Sequence, residues 1–126
     1  MEASLKFYRD GLGLKTPGII GAEYEYGAVV FIDLESGAKL ALWPSRSLAK
    51  DSGVALIETG TPRISLGHNV RSRQEVDEVL AQACSAGAKV VKEAGETFRG
   101  GYAGYFQDPG QYLWEVLWDP QLLPND

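Results

Sequence analysis

The feature that most constrains this chain is that it repeats itself. At an offset of 74 residues, Leu12-Gly13-Leu14-Lys15 falls on Ala86-Gly87-Ala88-Lys89, Phe31 falls on Tyr105, and Lys39 to Trp43 falls on Leu113 to Leu117. One helix-like stretch falls on the other, and each is followed by about three strand-like ones. Self-similarity on this scale implies two copies of one supersecondary unit. The pattern within each copy is βαβββ. The expected fold class is therefore α+β: a first module over residues 1–60, a second over 61–126, and a cleft that they share.

Local pattern fills in the modules. Leu5, Tyr8 and Leu12 recur at helical spacing over residues 2–12, with Gly11 and Gly13 as a stop. Glu23 to Tyr26 reads as a short strand, Ala28 to Leu34 as a stronger one, and Lys39 to Trp43 as a third, ended by Pro44. Residues 45–61 read as a linker with a helical turn at 45–50. Ile64 to Val70 is a strand. Ser72-Arg73-Gln74-Glu75 is a capping box opening a helix that runs to about Ala86, with Val76, Val79, Leu80 and Ala83 as its apolar stripe and Gly87 as its end. Lys89 to Lys92 is a strand, followed by a glycine-bearing loop. Tyr102 to Phe106 and Tyr112 to Trp118 are strands joined by the turn signal Asp108-Pro109-Gly110. The tail from Asp119 carries no pattern.

The repeat exposes two asymmetries. Met1 falls on Glu75, so the first module lacks the counterpart of the strand Ile64 to Val70. A strand left without its neighbour exposes unpaired backbone groups. The expectation is a homodimer in which a second copy covers the gap, or a native product that begins upstream of Met1. The second asymmetry is that Ala41 falls on Glu115. Glu115 is an ionised residue inside an otherwise apolar strand, and a carboxylate there is costly to bury unless paired, neutralised or bound. Three readings stay open for it: a general base tuned by burial, a carboxylate that holds a cationic or hydrogen-bonding ligand, or a structural ion-pair partner, for which Arg63 is the candidate.

Alternation assigns faces. Lys39, Ala41 and Trp43 share the cleft face of one strand, and Leu113, Glu115 and Leu117 line the opposite wall. Trp114 and Val116 then face the helices as core. On the strand after the linker, Arg63, Ser65 and Gly67 share one face. Ile64, Leu66 and His68 share the other and should pack against helices, which turns the chain's one histidine away from the cleft. Trp43 suits stacking on a planar ligand or simple filling of the cleft. Phe98 and Arg99 sit on a glycine-flanked loop, either a lid or a plain hairpin loop.

Bulk properties exclude several classes. A net charge of −5 argues against a nucleic-acid surface. No apolar run approaches the length of a membrane span. The single Cys84 cannot form an internal disulfide, which suits the cytoplasm, and mid-helix it reads as a small core residue. No phosphate-binding glycine loop and no Ser/His/Asp arrangement is visible.

Leu5-Lys6-Phe7-Tyr8-Arg9-Asp10-Gly11-Leu12-Gly13-Leu14, Gly100 to Pro109 and Tyr112 to Val116 together make nearly the whole chain resemble the vicinal oxygen chelate superfamily, which includes glyoxalase I, bleomycin-resistance proteins and extradiol dioxygenases. The resemblance implies two βαβββ modules curled round one cleft. In metal-dependent members, it implies metal ligands on the first and last strands of each module. Glu115 matches the last-strand ligand of the second module. Ala41 replaces its counterpart, Arg63 stands where the fifth strand usually offers His, and the strand for the remaining ligand is absent. Arg does not ligate metals. The leading expectation is therefore a protein of the glyoxalase/bleomycin-resistance type that binds a small organic ligand with no metal or other cofactor. Glu115 is the catalytic candidate. Lys39, Trp43, Arg63, Phe98, Tyr102 and Leu113 are the candidate ligand-binding residues. The rival expectation is a glyoxalase-like lyase or a dioxygenase whose divalent metal (Zn, Ni or Fe) is completed by another chain. A third is a degenerate, non-catalytic interaction module.

Overall fold

The computed structural model describes residues 1–34, 37–55, 64–97 and 100–121. It divides into two compact units, Met1–Gly60 and Thr61–Asp126. The class is α+β, with two sheets and three α-helices among the described residues. No helix among them is long and apolar enough to cross a membrane.

The first unit opens with α1, Glu2–Lys6, which runs directly into a π-helical turn, Phe7–Gly11. The turn is marked by a bond from the Leu12 amide to the Phe7 carbonyl five residues back, at 2.9 Å. The wider turn changes which side chains are buried. Phe7 and Tyr8, adjacent in sequence, are both buried and meet edge to face at 4.9 Å between ring centroids. Leu12 stays half-exposed. The expected stripe of Leu5, Tyr8 and Leu12 is thus Leu5, Phe7 and Tyr8, because a 3.6-residue period does not hold through a π turn.

Three antiparallel strands follow in spatial order: β1 (Ile19–Ile20), β2 (Val29–Asp33) and β3 (Lys39–Leu42). The strand expected at Glu23 to Tyr26 is instead a turn. The Tyr24 amide bonds to the Gly21 carbonyl and the Gly27 amide to the Tyr24 carbonyl, each at 3.0 Å. A Cβ added at Gly21 would overlap the Gly27 carbonyl, so only glycine permits this close approach. The alternation of Glu and Tyr imitates a strand, yet all four side chains are exposed and none has a core to face. Val30 opposes Leu42 and Ile32 opposes Leu40 on one face of the sheet; Phe31 opposes Ala41 and Asp33 opposes Lys39 on the other. Beyond β3, the stretch read as a linker holds a two-turn helix, α2, Ser45–Ser52, ended by Gly53 in the left-handed conformation at φ 78°.

The second unit has all four strands of its module, in the spatial order β4 (Leu66–Asn69), β7 (Leu113–Trp118), β6 (Tyr102–Gln107), β5 (Lys89–Glu96). β4 runs parallel to β7, and the other neighbours are antiparallel. The comparison defines what the first sheet lacks. β7 carries β4 on its outer edge, whereas β3 has no strand on the corresponding edge among the described residues. β5 is longer than the expected Lys89 to Lys92. Register shifts after Val90 and after Lys92 break its alternation and hide the strand from a period-two reading.

Between β4 and β5 lies α3, Arg73–Ser85. Its start is capped: the Ser72 hydroxyl accepts from the Glu75 amide at 3.1 Å. The Glu75 carboxylate reaches back one residue further than a standard capping box, to the Arg71 amide at 3.0 Å. α3 packs on β5, β6 and β7 and buries Val76, Leu80 and Ala83. Phe106 and Val116 are buried, and Trp114 stacks on Phe106 at 6.1 Å. Each large side chain taken from water here contributes on the order of 1.5–3 kcal/mol. Two expectations fail. Ile64 lies outside β4 and is 79% exposed, so it packs on no helix. Cys84 is exposed, because it lies about 100° round the helix from the buried Ala83 and turns outward.

Candidate functional site

The four-stranded sheet presents two unlike faces. Gly104 identifies one of them: a Cβ there would come within 2.6 Å of Leu80 Cδ1 on α3. Gly104, Phe106, Trp114 and Val116 therefore face the helix. By alternation, Ala103, Tyr105 and Gln107 of β6 share the opposite face with Leu113, Glu115 and Leu117 of β7. Register fixes the neighbours: Tyr105 opposes Glu115, Gln107 opposes Leu113, and Ala103 opposes Leu117. On the other side of Glu115 stands Gly67 of β4.

Glu115 and Tyr105 are both half-buried. Burial pushes the Tyr105 phenol above its ordinary pKa, and the Glu115 carboxylate adds to the shift by its charge and by hydrogen bonding with the phenol. The phenol therefore keeps its proton at neutral pH. A Cβ added at Gly67 meets nothing within 4 Å, so space is open beside the carboxylate. Along β7, Leu113 and Leu117 flank it. Among the described residues Glu115 forms no ion pair. The arrangement is a carboxylate that faces a phenol across the strands, between apolar side chains, with a glycine at its flank.

The first unit carries the same geometry with different chemistry. Phe31 opposes Ala41 on β2 and β3, as Tyr105 opposes Glu115 on β6 and β7. Lys39 lies on this face and is paired with Asp33 across the strands, so its charge is already engaged. Trp43 follows the end of β3 and is half-buried.

Tyr102, a candidate ligand-binding residue, does not share the face of Glu115. Its hydroxyl donates to Asp77 of α3 at 2.8 Å, and the Arg73 guanidinium sits 5.4 Å from its ring centroid and 5.3 Å from that of Trp118. Arg73 also donates to Glu96 at 3.0 Å. This cluster ties the start of α3 to the sheet. The hydrogen bond to Asp77 raises the Tyr102 pKa, with smaller contributions from desolvation and the Asp77 charge, while Arg73 opposes them. Tyr102 is three residues from Tyr105, and an odd separation on a strand reverses the face. His68 opposes Val116 and shares the helix side, as alternation requires. Although it keeps contact with solvent, the atoms around its ring lower its pKa, with the Glu75 charge opposing. Arg63, Phe98 and Arg99 lie outside the described residues.

Leu113 and Glu115 are thus brought together, and Tyr105 and Gln107 are the additions that sequence reasoning missed. Tyr105 was within reach of it, since the repeat places Tyr105 on Phe31 just as it places Glu115 on Ala41. A divalent metal requires several His, Cys or carboxylate donors. Among the described residues no three such side chains converge. Among the described residues the strand neighbours of Glu115 are a phenol and a glycine, a donor set that does not fit a metal.

The family model described as Glyoxalase/Bleomycin resistance protein/Dioxygenase superfamily matches residues 1–116. A glyoxalase-related enzyme from Fulvimarina pelagi is similar in structure with a TM-score of 0.80 and 30% identity, over 95% of this chain and 81% of that one. A glyoxalase/bleomycin resistance protein/dioxygenase family enzyme from Burkholderia phytofirmans PsJN gives 0.75 and 19%, over 93% and 88%. Lactoylglutathione lyase from Agrobacterium tumefaciens gives 0.65 and 21%, over 95% and 86%. The last two likenesses are of fold alone. No curated protein matches the chain.

Proposed function

The chain belongs to the glyoxalase/bleomycin resistance protein/dioxygenase superfamily, and from that premise we propose that it binds a small organic molecule, without metal, on the Glu115 face of its second unit. The observation that carries this reading is the cross-strand pair of Tyr105 and Glu115, a carboxylate set between Leu113 and Leu117 and beside the open space at Gly67. Apolar walls with a few fixed polar groups are what small-molecule sites are made of. Metal independence is supported by the poverty of donors round Glu115 and by Ala41 at the equivalent place in the first unit. The rival reading, a lyase or dioxygenase whose metal is completed by another chain, has no observation on this face in its favour.

Calorimetric titration with bleomycin and with S-lactoylglutathione tests the proposal, paired with thermal melts. A ligand at one hundred times its Kd stabilises the fold by about 2.7 kcal/mol. Binding that falls tenfold or more in Glu115→Ala supports the assignment. Elemental analysis finding one Zn, Ni or Fe per chain, lost in that variant, would sink the metal-free reading. No response to either compound would favour a non-catalytic interaction module. The proposal includes a homodimer, because β3 has an edge without a strand among the described residues and such edges pair with other chains. Sedimentation equilibrium at micromolar concentration reads this directly, and a monomer there would refute it.

A further inference from the structure

We propose that the groove between α3 and β5, on the helix side of the four-stranded sheet, is a binding site for a linear alkylammonium, a cation on a hydrocarbon stem. The groove lies across the sheet from Glu115, and the proposal stands independently of the reading given for that face.

The first ground is the shape of the groove. Its volume is about 380 Å³, which is within the range of small-molecule sites. Asp77, Leu80, Ala81 and Cys84 follow one another at helical spacing along one stripe of α3 and form one wall. Val90, Glu93 and Ala94 of β5 form the other. Glu93 and Ala94 are adjacent and would face opposite ways on a regular strand, but the register shift between Lys92 and Gly95 brings both to the groove. Each wall therefore carries one carboxylate among small and apolar side chains. The carboxylate of Asp77 is held in place, since the Tyr102 hydroxyl, also in the lining, donates to it at 2.8 Å.

The second ground is the repeat. The π turn adds one residue to the first helix, so its positions correspond to those of α3 one residue beyond the offset of 74 that fits the strands. Burial agrees: Leu5 and Tyr8 are buried where Leu80 and Ala83 are. Glu2, Leu5, Lys6 and Arg9 then correspond to Asp77, Leu80, Ala81 and Cys84, and those four residues of the first unit also line a groove, of about 270 Å³. The acid and the leucine are present in both copies. The two cations of the first copy, Lys6 and Arg9, give way to the small side chains of Ala81 and Cys84 in the second. The first unit thus carries its own cationic stems along the stripe, with Arg9 paired to Asp10 at 3.0 Å. The second offers a larger space and a further carboxylate, Glu93. What fits there is a molecule that supplies what Lys6 supplies in the first unit.

The chemistry of the walls matches such a molecule at both ends. An ammonium has three donors and meets a carboxylate through charge-assisted bonds, roughly twice as strong as neutral ones. A methylene stem lies on Leu80, Val90 and Ala94 as a lysine stem lies on apolar surface. An anionic head would meet like charge at Asp77 and Glu93.

The probes are hexylammonium, hexanol and hexanoate, added to the full chain. Cys84 lines the groove and reports its occupancy through the rate of alkylation by iodoacetamide, measured against free glutathione in the same solution. The expected result is saturable protection by hexylammonium at a concentration about tenfold below that needed for hexanol, the size of a hydrogen bond to a charged group, and no protection by hexanoate. Glu93→Gln should narrow the gap between hexylammonium and hexanol. Ala81→Lys restores the stem that Lys6 places in the first unit. Ala81 is an exposed helix position and lysine is a good helix former, so this variant should melt with the native chain, and hexylammonium should no longer slow its alkylation. Equal protection by hexanol and hexylammonium would overturn the ligand class. Protection that survives both Glu93→Gln and Ala81→Lys would put the amine elsewhere and overturn the site, and so would a rate unaffected by all three probes. The Glu115 face is read separately, with bleomycin and S-lactoylglutathione, so failure of one assignment is distinguishable from failure of the other.

Discussion

Gly104→Ala should destabilise the protein, and the structure sets the scale. Gly104 lies on β6 against α3. A methyl group there would be 2.6 Å from Leu80 Cδ1, 3.0 Å from the Lys92 carbonyl oxygen and 3.1 Å from the Ala94 amide nitrogen. The first clash is with the end of a flexible side chain and is relieved by a rotamer change. The other two are with the backbone of β5, where the register shifts on either side of Lys92 already fix the chain's path. Relief therefore needs a displacement of β5 or α3, and one excess methyl in a packed core costs about 1–3 kcal/mol. For a domain of this size that lowers Tm by roughly 4–12 °C. Gly95→Ala is the matched control. It lies on the same sheet, its φ is not positive, and an added Cβ meets nothing within 4 Å. Loss of chain entropy in the unfolded state should leave it neutral or stabilise it by up to about 1 kcal/mol. Both are read from urea titrations followed by circular dichroism. A Gly104→Ala midpoint equal to that of Gly95→Ala would refute the reasoning, since it would show that the β5 backbone at Lys92 and Ala94 yields to the added methyl without cost.

Three further outcomes are expected. His68 has a folded pKa lowered by burial below the ordinary 6.5, so its neutral form favours folding. Stability is fully present above that value and is lost as pH falls through the lowered pKa; His68→Asn should flatten this part of a pH–stability profile, and an unchanged slope would contradict it. Ser72→Ala removes the oxygen that accepts from the Glu75 amide and should cost roughly 0.5–2 kcal/mol in denaturant titrations. Cys84 is exposed and should react completely with a thiol reagent such as dithionitrobenzoate in the native state; a thiol reactive only in denaturant would restore the core reading.

Much of the fold was legible because the strongest signals are local and redundant. The Ser72 start of α3 and its stripe of Val76, Leu80 and Ala83 agree with each other, and the Asp108 to Gln111 turn is closed by bonds that its composition suggests. The Asp108 carboxylate accepts from the Tyr112 amide at 2.8 Å, and its carbonyl accepts from the Gln111 amide at 2.9 Å. The misses share a different cause, which is loss of period. A π turn moved Phe7 into the core, register shifts concealed half of β5, and a glycine-closed turn made Glu23 to Tyr26 look like a strand. In each case the backbone departs from the repeat that the reading depends on.

The site was legible to the extent that parity and the repeat govern it. Glu115 and Leu113 could be placed on one face by counting in twos, and Ala41 could be matched to Glu115 by counting in seventy-fours. Neither count names the neighbour across the strands, because cross-strand pairing depends on the register of the turn at Asp108 to Gln111. Once that register is known, Tyr105 is opposite Glu115 and Tyr102 is on the far side with Asp77 and Arg73. The repeat then becomes informative in a second way. A fold built from two copies of one unit offers two equivalent places for each side chain, and the difference between copies isolates what each place needs for packing from what it has beyond packing. At Phe31 and Tyr105 the common part is an aromatic ring against a strand, and the remainder is one hydroxyl. At Ala41 and Glu115 the common part is a strand backbone, and the remainder is a carboxylate. The two remainders face each other across the strands. That is the physical ground for taking the pair, rather than either residue alone, as the candidate site.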